Sequence, residues 1–130
     1  MATNIKKSQQ LIVLIGIIVG IVISAIENFA FDGEISPFGI VILLLIANVT
    51  YGGLWGIRGW ISAIITWMFL PLVHLFKHIF SLKDTLSPNT YLSILLMTIF
   101  CFIITAIGFI SGTLIRKFIK HISKINSDDN

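Results

Sequence analysis

Charge is the scarcest resource in this chain. Only 12% of its residues are Asp, Glu, Lys or Arg, about half the share found in a soluble domain. A soluble globular protein is therefore excluded. The single cysteine, Cys101, lies in an apolar run, so neither an internal disulfide nor a cysteine metal cluster is available. The three prolines are Pro37, Pro71 and Pro88, and only Pro71 falls deep inside an apolar run. The centres of the apolar runs lack Asp, Glu, Lys, Arg and His. Ion-coupled exchange usually places such a group inside the membrane, so that scarcity argues against a carboxylate-centred exchange mechanism. No catalytic carboxylate pair, Ser/His/Asp set or phosphate loop is evident. The expectation is a non-enzymatic protein without a cofactor.

What the chain has is apolar length. Of its 130 residues 56% are hydrophobic, and the mean hydropathy is +0.99. The segment Phe38–Phe80 is apolar almost throughout, with Arg58 near its middle. As one helix it would be roughly 60 Å long, twice the thickness of a bilayer core. It must therefore cross, turn and return. Gly52, Gly53, Gly56 and Gly59 surround Arg58 at the reversal, and Tyr51, Trp55 and Trp60 flank it at the expected headgroup level.

The expected fold is an all-α integral membrane protein of one domain, residues 1–130. Four transmembrane helices form two antiparallel hairpins, at about 9–30, 37–56, 59–80 and 89–113. Lys6 and Lys7 precede the first run, which is too long for a signal core and is read as retained. The segments around Ser36-Pro37 and Ser87-Pro88 look like helix starts. Residues 114–125 form a short basic amphipathic extension. Its apolar face is Leu114, Ile115, Phe118, Ile119, Ile122 and Ile125, and Arg116, Lys117, Lys120 and Lys124 offer a lipid-facing basic side. Residues 126–130 have nothing to bury and are expected to be disordered.

Two small-residue faces invite close helix packing: Gly16, Gly20 and Ser24 on the first helix, and Gly108 and Gly112 on the fourth. Asn48 sits mid-helix and is expected to hydrogen-bond across a helix interface. Pro71 is expected to kink the third helix. Glu27 lies about one turn inside the outer boundary, at the depth of His74 and His78. These three are the only candidates for a metal site. The expected arrangement is instead a polar pair in which His74 or Lys77 satisfies Glu27, with no metal.

Orientation follows from the basic residues. Four crossings place Lys6, Lys7, Arg58, Arg116, Lys117, Lys120 and Lys124 on one side, and only Lys77 and Lys83 on the other. That bias puts both termini in the cytoplasm. Because the basic residues sit at the ends of apolar runs, the partners expected are the lipid bilayer and other membrane subunits, or further copies of this chain, not nucleic acid. The function expected is that of a subunit or an accessory or assembly factor of a membrane complex in the cell membrane. A small oligomeric transporter or channel is the alternative, and an immunity or holin-like protein the second alternative.

Overall fold

The computed structural model describes residues 2–29, 37–80 and 91–128. Every described residue except Phe80 is helical. The elements are α1 (Ala2–Phe29), α2 (Pro37–Trp55), α3 (Trp60–Ile79) and α4 (Tyr91–Asp128), with a 3₁₀ turn at Gly56–Gly59 between α2 and α3. Three helical segments are long and apolar enough to cross a membrane: Asn4–Phe29, Phe38–Ile79 and Tyr91–Ser127. The middle one is the stretch broken by the turn. Gly56 there has φ 58°, a left-handed conformation that costs any other L-residue about 1–2 kcal/mol. Gly59 lets the returning chain pass Tyr51, whose carbonyl would lie 2.5 Å from an added Cβ. The expected helix starts and outer-loop acids, Ser36, Asp32, Glu34, Asp84, Ser87 and Pro88, lie outside the described residues.

The closest helix pairs are not neighbours in sequence. Ser62 of α3 bonds to Ile12 of α1, Thr66 to Gly16, and His74 to Glu27. The partners advance together, so α1 and α3 run parallel. Likewise Gly108 of α4 lies against Asn48 of α2, Gly112 against Val49, and Arg116 reaches Leu54. These two parallel pairs interleave, and the contacts between them join the bundle. The hairpins expected from the sequence concern the order of the chain, whereas the closest contacts join each helix to the next but one. Small residues decide the difference: an added Cβ at Gly16 would sit 2.9 Å from the Ser62 Cα, and one at Gly112 would meet the Val49 carbonyl oxygen. Only glycine lets these backbones approach so closely.

The middle of the bundle is filled. Ile23, Ile40, Leu44, Leu70 and Cys101 form the buried layer, with Trp67, Met97 and Ile104 packed around it. Trp67 closes the α3–α4 seam by donating from Nε1 to the Thr98 carbonyl at 3.0 Å and by meeting Phe102 edge-on at 5.2 Å.

Two expectations at the C-terminus are corrected. There is no break near residue 113, and no separate amphipathic piece follows. α4 is one helix of 38 residues, roughly 57 Å long. Residues 126–128, expected to be disordered, complete it. No proline or glycine follows Gly112, so nothing stops the helix from propagating. α1 also starts earlier than expected, at Ala2. α3 keeps its helical assignment through Pro71, although the Trp67 carbonyl loses its usual amide partner there.

Candidate functional site

Polar residues on α3 recur at steps of four. Ser62, Thr66 and His74, with Leu70 between them, share one face and are all fully buried. α1 meets that face with Ile12, Gly16, Gly20, Ser24 and Glu27, all buried as well. Buried among apolar helices, such side chains must find partners inside the protein. They do so by donating to the facing backbone. Ser62 Oγ donates to the Ile12 carbonyl at 2.5 Å, and Thr66 Oγ1 to the Gly16 carbonyl at 3.1 Å. The Tyr51 hydroxyl lies 2.9 Å from Thr66 Oγ1 and extends the chain of bonds to α2.

At the far end of this seam His74 Nε2 lies 2.6 Å from Glu27 Oε1. His74 is 0% exposed and Glu27 only 3%. The pair sits one turn beyond the packed layer of Ile23 and Leu70. A carboxylate and an imidazole so buried are held by each other, because removing either strands the other in an apolar surround. Glu27 Oε2, Ser24 Oγ and Asn28 Oδ1 are buried beside it without a hydrogen-bond partner among the described residues. Asn28 spends its amide on the Ser24 carbonyl at 2.6 Å. This end of α1 thus concentrates acceptor capacity that the described residues do not use.

The remaining candidates fall in different places. His78 meets the Tyr91 ring edge-on, with centroids 4.6 Å apart. Lys77 lines an outer groove beside Ser24 and Asn28. Among the described residues, no group of three or more His, Cys, Asp or Glu lies close enough to hold a metal ion. Gly20 faces the Phe69 ring, and Gly108 faces Asn48 and Leu45. All four interface glycines therefore pack within the chain. Asn48 is fully buried, but its amide bonds back to Leu44 of its own helix at 2.7 Å. The expected bond across the interface is not made, because Gly108 brings backbone rather than a polar side chain against it. Arg116 is half-buried and donates from Nη1 to the Leu54 carbonyl at 2.5 Å, whereas Lys117, Lys120 and Lys124 are exposed.

Sequence reasoning missed Ser62, Thr66 and Tyr51. The signal for the first two was present: Ser62, Thr66 and His74 share a register of four in an apolar run. Tyr51 was placed among headgroup-level aromatics, yet it is 2% exposed and its hydroxyl is satisfied inside the bundle. Compared with family models, curated proteins and solved structures, this chain shows no significant match.

Proposed function

We propose that this chain is a non-enzymatic membrane protein of four crossings, with both termini cytoplasmic, that serves as a subunit or an accessory or assembly factor of a membrane complex. The observation that carries the reading is the filled interior. Leu44, Leu70, Ile23 and Cys101 occupy the centre where a single-chain pathway would run, and packed side chains of this kind do not yield without a large cost. The crossing count rests on the 3₁₀ turn at Gly56–Gly59, which divides a segment too long for one crossing. The cytoplasmic termini rest on the bias of Lys and Arg toward one end.

α1 and α2, although consecutive, leave an apolar groove of about 420 Å³ between them. It extends along α1 from Ile15 to Ile26 and along α2 from Leu43 to Trp55. That is roughly three helical turns, enough to seat a partner's transmembrane helix. The test is purification from native membranes in mild detergent, followed by mass spectrometry. A stoichiometric partner is expected, lost when Val22→Trp and Ile46→Trp fill the groove. A clean homo-oligomer with no partner would overturn the reading.

One observation favours a second reading, a small oligomeric transporter. Glu27 keeps an unused buried oxygen next to His74, and an intramembrane carboxylate is a common carrier of cations or protons. Flux in liposomes that disappears in Glu27→Gln, with the helical content retained, would select it.

A further inference from the structure

The basic residues at the cytoplasmic end are not spread evenly. The turn after α2 swings Arg58 toward α4, and the unbroken course of α4 carries Arg116, Lys117 and Lys120 out to the same level. These four cations line one concave cavity of about 450 Å³. Among the described residues no carboxylate lines it. Ser8 of α1 adds a hydroxyl to its wall.

The cavity is built. Arg116 is held in place by its bond to the Leu54 carbonyl. Its side chain lies along Gly56, where an added Cβ would be at contact distance from Nη1, 3.4 Å. A guanidinium has five N–H donors, so the bond to Leu54 leaves donors for a ligand. The rest of the wall is apolar. Leu54 and Ile57 are 61% and 72% exposed, and Trp55 stands beside them. Free inorganic anions gain nothing from such a wall. A phospholipid gains from both parts, its phosphate from the cations and its glycerol and acyl carbons from the apolar rim.

We propose that this cavity binds the phosphate of an anionic phospholipid of the cytoplasmic leaflet. Arg58, Lys117 and Lys120 are its exposed cations, and Arg116 is the one held by the backbone. The choice of leaflet rests on the proposed cytoplasmic termini, whereas the site itself needs only that the chain crosses the membrane, and it holds whether the protein is an accessory subunit or a transporter. Resistance of the chain to alkaline carbonate extraction tests that premise separately.

The experiment is native mass spectrometry of the full-length protein in detergent, titrated with dioleoyl-phosphatidylglycerol or dioleoyl-phosphatidylcholine. Phosphatidylglycerol should bind about tenfold tighter or better. The double variant R58Q/K120Q should lose that preference, and phosphatidylcholine binding should stay unchanged. K6Q/K7Q removes the same charge from the same end outside the cavity and should change binding less than about twofold. Circular dichroism checks that each variant is folded, and K117Q/K120Q, at two exposed positions, replaces R58Q/K120Q if that one is not. Equal binding of the two lipids would overturn the proposal. So would an equal loss in K6Q/K7Q, or displacement of phosphatidylglycerol by inorganic phosphate at a comparable concentration.

Discussion

Alanine at Gly52 and alanine at Gly53 differ by one position on one helix and should differ sharply in effect. At Gly52 an added Cβ would sit 2.5 Å from the Phe109 carbonyl oxygen and 2.7 Å from the Thr113 amide nitrogen. Ordinary contact needs about 3.4 Å, so α2 and α4 must separate by about 1 Å or the backbone must bend. Both obstacles are backbone atoms and cannot rotate away. Overpacking of this kind costs about 1–3 kcal/mol. At Gly53 nothing lies within 4 Å, so Gly53→Ala should stay within about 0.5 kcal/mol of the parent. Gly112→Ala meets the same seam from α4, against the Val49 carbonyl. Because the two sites share an interface, Gly52→Ala with Gly112→Ala should cost less than the sum of the single changes. The assay is reversible unfolding in mixed micelles, followed by circular dichroism. Equal losses at Gly52 and Gly53 would refute the reasoning, since that result would mean α2 and α4 do not pack through this face.

Three further outcomes follow from the geometry. His74→Ala should destabilise the bundle by on the order of 3 kcal/mol by stranding the Glu27 carboxylate, while Glu27→Met with His74→Leu should recover most of the loss, both read in the same unfolding assay. Gly56→Ala should cost about 1–2 kcal/mol through its left-handed backbone, measurable as a lower unfolding midpoint with unchanged helical content. Cys101, 1% exposed in the packed layer, should react with a small maleimide only after denaturation, as intact-mass measurement would show; fast reaction in the folded state would contradict the packing of that layer.

Helices long and apolar enough to cross a membrane, and the turn at Arg58, were legible in the sequence, because apolar length and glycine clustering are local signals. The sequence disclosed the small faces of α1 and α4 but not what each one meets. Gly16 finds Ser62 across 46 residues and Gly112 finds Val49 across 63, and spacing within one helix carries no information about its partner. Glu27 and His74 were legible as a pair because both sit near one boundary in a chain with few charges to offer. The role of Asn48 was not, since whether an amide bonds outward or back to its own helix depends on what the opposite helix presents. The continuous α4 was missed for a different reason. The composition changes from apolar to amphipathic after Thr113, and the backbone, with good helix formers throughout, ignores the change.

The proposed function depends on the number and direction of crossings, and the lone cysteine makes both directly measurable. In a Cys101→Ser background, single cysteines at Lys7, Asp32, Asp84 and Asn126 would be labelled in intact cells with a membrane-impermeant maleimide. Four crossings predict that positions 32 and 84 label from outside and that 7 and 126 label only after permeabilisation. If Phe38–Ile79 crossed only once, the termini would lie on opposite sides and 7 and 126 would label differently from each other. That result would contradict the account.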